Sequence, residues 1–296
     1  MTPILTRDQI VSVVATGFAA KRRDLQRGVR ALESMGYRVL LGEHVHERDG
    51  YLAGNDFARL DDLLGSLDRP DIAAIWFARG GYGTTRLLQY LKPKHLRRSR
   101  PSLIGYSDLT ALFAAALKQT DRRCLYGPVV TELGDPDSFN ATSLRAALAG
   151  RPQRWRVAQR QFWCAGSAEG RLLGGNLTVL NALAGTPYQP SMKDAVLLLE
   201  DVGEPTYRVD RMLTQMRDAG YFRGLRGVLL GSMVAPKRKR FPPDRDLRDV
   251  IVECFEPLEI PVVAELPIGH LPDKRTVPLG APVQLDGAAR RLIFDP

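Results

Sequence analysis

Apolar and polar positions alternate in blocks along the first part of the chain, and the period changes from block to block. The apolar run over 10–15 reads as a strand, 21–35 carries apolar side chains at helical spacing up to Gly36, and 38–41 is a second short strand. The pattern then recurs, with a helix over 56–67, a buried strand over 72–77, a helix over 84–91, a strand over 102–106 and a helix over 109–118. Strict alternation of strand and helix predicts a parallel sheet covered on both faces, because parallel neighbours need a crossover that packs back onto the sheet. The N-terminal half is therefore expected to be a layered α/β domain with a mostly parallel sheet.

Between about 134 and 168 the regularity lapses. Gly134, Pro136, Gly150 and Pro152 punctuate it, a short helix starts at Ser143, and polar residues continue to Gly166. Beyond it, apolar runs over 170–173, 195–200, 227–231, 261–264 and 281–286 predict strands, with helices near 177–184, 208–219 and 247–256. The expected organisation is an N-terminal domain over 1–145, a linker over 146–166, and a mixed, β-rich α/β domain over 167–296. Two domains suit a chain of 296 residues.

Composition narrows the class. Hydrophobic residues at 44% and charged residues at 25% are ordinary for a folded globular chain. No apolar run reaches the roughly 18 residues of a membrane span. The run ending at Ala20 follows Asp8 and precedes Lys21-Arg22-Arg23, so it reads as a core strand rather than a signal peptide. Cys124, Cys164 and Cys254 are odd in number and far apart, which indicates neither a disulfide framework nor a zinc site and suits a reducing, cytoplasmic compartment.

The net charge of +9 and the run Lys237-Arg238-Lys239-Arg240 raise the question of a nucleic-acid partner. The basic residues are mostly arginine, are scattered over the whole length, and have no interleaved aromatics to form a stacking platform. Neither a nucleic acid nor a membrane is expected as partner, and 237–240 reads as a solvated loop, with an acidic-partner site as the alternative.

Four histidines limit the candidates for a general base. His44 and His46 precede a Gly-Tyr turn, and His95 lies among Lys94, Arg97 and Arg98, whose charge disfavours an imidazolium. His270 sits in the turn-rich stretch Leu266-Pro267-Ile268-Gly269-His270-Leu271-Pro272, right after an apolar strand, where a scaffold can present a side chain to a cleft. Ser107 lies between the strand ending in Ile104-Gly105-Tyr106 and the helix from Leu109. That turn can expose its hydroxyl at the carboxyl end of a parallel sheet, beside the free N–H groups of the helix start. The same position equally suits Ser107 or Asp108 as a helix cap.

The loop Arg79-Gly80-Gly81-Tyr82-Gly83 lacks the G-x-G-x-x-G spacing of a dinucleotide site, but its glycines let backbone approach a ligand. Gly81 could then offer an oxyanion N–H beside that of Asp108. Leu197-Leu198-Leu199-Glu200-Asp201 ends an apolar strand in two carboxylates, one of which could hold a histidine or simply face solvent in a turn.

The order and wording of these pieces resemble the bacterial LD-carboxypeptidases, whose relatives include the microcin C immunity peptidase. Matching blocks are Tyr51-Leu52-Ala53-Gly54 with Asp56 and Arg59; Arg79-Gly80-Gly81-Tyr82-Gly83; Ile104-Gly105-Tyr106-Ser107-Asp108-Leu109-Thr110; and Gly174-Gly175-Asn176-Leu177. They continue with Leu199-Glu200-Asp201-Val202-Gly203-Glu204, Tyr207-Arg208-Val209-Asp210-Arg211 and Leu266-Pro267-Ile268-Gly269-His270. One departure stands out: where the family has a Pro-Ser pair after the first strand, this chain has Ala15-Thr16-Gly17-Phe18.

The resemblance implies a serine hydrolase with the triad Ser107, Glu200 and His270, an oxyanion hole from the backbone N–H groups of Gly81 and Asp108, and Asn176 facing the substrate. It further implies release of the terminal D-alanine of murein tetrapeptides during peptidoglycan recycling in the cytoplasm, by a homodimer without metal or organic cofactor. Ser107 would then lie in one domain and its partners in the other, with the site in the cleft between them. Arg79 and Arg208 are candidates to hold the substrate's carboxylate. Hydrolysis of an aminoacyl adenylate, the alternative within the family, calls for an added segment to grip the nucleotide, and none stands out.

Overall fold

The computed structural model describes residues 3–98, 101–120, 122–236 and 245–295, so the basic run 237–240 lies outside the described residues. The first sheet is built from β1 (Ile10–Val14), β2 (Arg38–Leu41), β3 (Ile72–Phe77), β4 (Ser102–Gly105) and β5 (Cys124–Tyr126). These strands pair in parallel in the spatial order β5-β4-β3-β1-β2. Alternate side chains go to opposite faces. Trp76 joins Leu25 and Leu32 of the helix Arg22–Ser34, whereas Ile75 and Phe77 join Leu63 of the helix Asp56–Asp68 and Phe113 of the helix Thr110–Gln119. Helices on both faces explain why β3 is apolar at every position.

The strand order reverses direction at β1, between β2 and β3. In open α/β sheets, ligands bind outside the carboxyl ends of the strands at such a switch point. The loops that leave β1, β3 and β4 carry Phe18, Arg79 to Gly83, and Ser107, so all three reach the same edge of the sheet.

The second sheet contains β6 (Gln153–Arg156), β7 (Phe162–Cys164), β8 (Ala168–Asn176), β9 (Ala195–Val202), β10 (Gly227–Val234) and β11 (Val262–Val263). The chain next returns to the first sheet as β12 (Val277–Leu279), antiparallel to β5, and ends in the second with β13 (Pro282–Asp286) and β14 (Arg291–Phe294). The order of the second sheet is β6-β14-β13-β8-β9-β10-β11-β7, with a parallel centre from β8 to β11 and antiparallel flanks. The chain is thus a mixed α/β protein with one mostly parallel and one mixed sheet.

The stretch 146–166, expected as a linker, carries β6 and β7, the two edge strands of the second sheet. In β6 only alternate residues are buried, Gln153 and Trp155 inward with Arg154 and Arg156 outward, so its signal is the weak one of a polar edge strand. Residues 277–279 belong to the first sheet although they follow most of the second domain. Strand pairing of this kind is a long-range event with no local signature.

The helix Thr110–Gln119 is buried at every position from Thr110 to Leu117. A helix apolar on all sides is a core helix, and this one packs between the sheets, against β8 and the helix Leu177–Leu183. A single hydrophobic cluster therefore runs from Phe77 through Phe113 to Leu173 and Leu198. With each buried Leu or Phe worth about 1.5–3 kcal/mol, that shared core sets how the two halves meet.

Candidate functional site

β4 ends at Gly105, the chain turns through Tyr106, and a short 3-10 turn Ser107–Leu109 leads into the helix Thr110–Gln119. Ser107 has φ 64°, the left-handed region that L-residues avoid at a cost of about 1–3 kcal/mol. That conformation turns its side chain out of the helix and toward the second sheet. Its Oγ lies 3.1 Å from His270 Nε2, and His270 Nδ1 lies 2.7 Å from Glu200 Oε2. The carboxylate can only accept, so Nδ1 carries the proton and Nε2 is left to accept from the Ser107 hydroxyl.

Glu200 is 0% exposed on β9, in register with Asn176 at the end of β8. A buried carboxylate needs hydrogen bonds to replace the water it loses, and this one has several. Besides His270 Nδ1, it accepts from the His270 backbone N–H at 3.2 Å, from the Tyr126 hydroxyl at 2.7 Å and from Asn176 Nδ2 at 3.3 Å. The His270 ring lies 4.8 Å from the Tyr106 ring. Burial draws the imidazole pKa down, but the Glu200 hydrogen bond and the charges of Glu200, Asp201 and Glu132 outweigh it and hold the pKa above the ordinary value.

The Gly80-Gly81 loop runs alongside the serine. A Cβ built on Gly80 would stand 3.1 Å from Ser107 Cβ, and Gly81 has φ 108° with the Phe18 ring packed where a side chain would go. The loop is braced from below by Asp108, whose buried Oδ2 accepts from the Thr84 N–H and hydroxyl. Burial pushes the Asp108 carboxyl up, against the hydrogen bonds from Thr84 and Gly83 and the charge of Arg59. Arg59, itself buried, donates to the Thr16 and Gly83 carbonyls and pairs with Asp56. Thr16 and Phe18 belong to the same brace: the Thr16 and Thr84 hydroxyls are 2.8 Å apart, and Phe18 N–H donates to Gly80 O at 3.2 Å.

A cleft of about 390 Å³ opens at this point, lined by Phe18, Arg79, Gly80, Gly81, Ser107 and His270 among others. The structure thus brings Ser107, His270 and Glu200 into one line and sets Gly81 and Asp108 beside it. Arg79 reaches the cleft, with Nη1 donating to Ala19 O at 3.1 Å and its guanidinium over the Phe18 ring. Arg208 instead faces Glu204 at 3.0 Å. Asn176, expected to face the substrate, is buried, and its amide is occupied by Glu200, Asp201 and the N–H of Val179. His44 pairs with Glu47, and His95 accepts from the Lys92 N–H, both outside the cleft.

Three residues of the site were not singled out from sequence: Tyr126, Glu132 and Lys274. Tyr126 touches Glu200, while Glu132 accepts from the Tyr106 hydroxyl and from Lys274 Nζ. Tyr126 and Glu132 are polar groups at the end of short apolar segments and Lys274 lies in a polar run, patterns common in any sequence.

A hydroxyl, an imidazole and a buried carboxylate in series have the geometry that serine hydrolases use. Residues 11–127 match the LD-carboxypeptidase N-terminal domain and residues 169–285 the LD-carboxypeptidase C-terminal domain. The murein tetrapeptide carboxypeptidase of Pseudomonas aeruginosa is 36% identical over 294 residues, covering 95% of this chain and 94% of its own. The crystal structure of a muramoyltetrapeptide carboxypeptidase from Oxalobacter formigenes superposes with a TM-score of 0.87 at 31% identity, covering 97% of this chain and 99% of that one. The fold is shared with MccF in complex with glutamyl sulfamoyl guanosine, at a TM-score of 0.88 and 22% identity over 100% of this chain and 98% of the other. The chain belongs to the LD-carboxypeptidase family, and is a serine-type carboxypeptidase hydrolase.

Proposed function

We propose that this protein is a murein tetrapeptide LD-carboxypeptidase that releases the terminal D-alanine by acyl transfer through Ser107. The observation that carries the reading is the unbroken line from Ser107 Oγ to His270 at 3.1 Å and on to Glu200 at 2.7 Å, beside an open cleft. His270 takes the hydroxyl proton as Ser107 attacks the carbonyl before the D-residue, and Glu200 holds the imidazolium that forms. The N–H groups of Gly81 and Asp108 receive the tetrahedral oxyanion, a kind of donor worth about 10²–10³ in rate. Ser107's own N–H is turned away to the Tyr126 hydroxyl at 3.2 Å, which favours those two as the donors. His270 then protonates the leaving amine, and water repeats the sequence on the acyl-enzyme.

Arg79, at the cleft wall, is the better placed of the two candidate arginines for the substrate's terminal carboxylate. Asn176 serves the reaction through Glu200 rather than by touching substrate. The reading includes peptidoglycan recycling in the cytoplasm, with which three free cysteines agree, and a homodimer, which size-exclusion chromatography checks.

The decisive experiment incubates the protein and its Ser107→Ala variant with a tetrapeptide ending in D-alanine and assays free D-alanine. Release by the wild type and none above background by the variant is expected. No release by the wild type sinks the substrate, and equal release by both sinks the nucleophile.

A further inference from the structure

Tyr126 closes β5 and is buried to 1% exposure, behind the cleft rather than in its wall. Its hydroxyl lies between the two halves of the site, accepting the Ser107 N–H at 3.2 Å and reaching Glu200 Oε1 at 2.7 Å. Because an ionised carboxylate can only accept, the phenol must give its single proton to Glu200, which leaves a lone pair for the Ser107 N–H. The ring is located by edge contacts with Tyr106 at 6.1 Å and Phe113 at 6.5 Å. A Cβ on Gly175 would come within 2.9 Å of its Cε2, so β8 carries a glycine where the ring passes.

We propose that Tyr126 is a positioning residue that couples the nucleophile's backbone to the triad carboxylate across the two sheets. The inference rests on the assignment of Ser107, Glu200 and His270 above. It accounts for two features at once. The left-handed Ser107 is held in place by the bond to its N–H. Among the described residues, Glu200 Oε1 without Tyr126 would keep only the longer bond from Asn176 at 3.3 Å.

The coupling also has an electrostatic sign. A hydrogen bond to a carboxylate draws off part of its charge, so a lost donor leaves Glu200 a stronger partner for the imidazolium and raises the pKa of His270. A stronger donor does the reverse. Burial holds the Tyr126 phenol far above its ordinary pKa, so a fluorinated phenol at this position stays protonated and remains a donor.

The test uses Tyr126→Phe and a protein carrying 3,5-difluorotyrosine at 126, each measured two ways. For D-alanine release by Tyr126→Phe, kcat is expected to fall by roughly ten- to a hundredfold, the weight of a hydrogen bond to a charged group, with KM changed by less than about threefold. An NMR titration of His270 in the resting enzyme, assigned among only four histidines, is expected to move up in the Phe variant and down in the difluorotyrosine protein. A purely packing role predicts an unmoved titration in both and an unchanged kcat, and that result overturns the proposal. If the Phe variant does not fold, the difluorotyrosine protein, which keeps ring and hydroxyl, decides alone by whether the titration moves. A wild type that releases no D-alanine defeats the substrate reading, while the titration needs no substrate and still decides the role of Tyr126.

Discussion

The carboxylate of Asp108 accepts two hydrogen bonds from Thr84, one from its backbone N–H at 2.9 Å and one from its hydroxyl at 2.7 Å. The residue after Ser107 thereby holds the loop that carries Gly80 and Gly81, and the two proposed oxyanion donors become parts of one braced unit. Asp108→Ala leaves the buried Thr84 N–H without a partner, which costs about 1–3 kcal/mol. It also frees the loop, so kcat is expected to fall by about 10²-fold. Thermal unfolding and D-alanine release measure the two effects, and an unchanged kcat in a folded variant rules out the brace.

The raised pKa of His270 gives the activity a pH signature. As the proposed base, His270 works only when neutral, so kcat/KM is expected to fall on the acid side through a midpoint above the ordinary histidine value of about 6.5. Glu200→Gln removes the main opposing influence to burial, and the midpoint moves down as kcat falls. Stability follows the opposite sense. A pKa raised by folding adds stability that is complete below about pH 6.5 and is lost as pH rises through the folded value. Urea unfolding at both ends of that window is expected to show the loss in the wild type and a smaller one in Glu200→Gln. An acid midpoint at or below the ordinary value contradicts the account.

Lys274 ties the His270 loop to the first domain. Its buried Nζ donates to Glu132 Oε1 at 2.9 Å and to Ser138 O at 2.8 Å, and its carbonyl accepts from the Asn140 N–H at 2.8 Å. Lys274→Met keeps most of the volume but strips a partly buried carboxylate and a carbonyl of their cation. A loss of about 1–3 kcal/mol in stability is expected, together with a lower kcat, because His270 stands four residues away on the same loop. Chemical denaturation and turnover assays check both, and a variant as stable and active as the wild type excludes the tie.

Much of this was legible along the chain, element by element. The strand Ile72–Phe77 lies where the hydrophobic run put it, since a strand covered on both faces has to be apolar throughout, and Arg38–Leu41 matches its short apolar run although it is a mostly exposed edge strand. The turn before the helix Thr110–Gln119 likewise marked Ser107, and the carboxylate ending an apolar strand marked Glu200. The edge strand β6 escaped notice because half of its residues face water, and β7 because three residues are too few to carry a period. β5 has three residues, too few to carry a period, and so Tyr126 escaped with it.

The sequence by itself determined the local pieces: which segments form strands and helices, which serine sits at a strand-to-helix turn, and which histidine sits in a loop after a strand. Those depend on neighbours a few residues apart, where the backbone's period and the polarity of the side chains decide. Only the tertiary structure decided that the Asn176 amide bonds Glu200, that β12 returns to the first sheet, and that one tyrosine hydroxyl touches both Ser107 and Glu200. These contacts join residues far apart in sequence, 74 positions in the case of Tyr126 and Glu200. They exist only because the shared core around Phe113 sets the two sheets at a fixed distance, which no local pattern encodes.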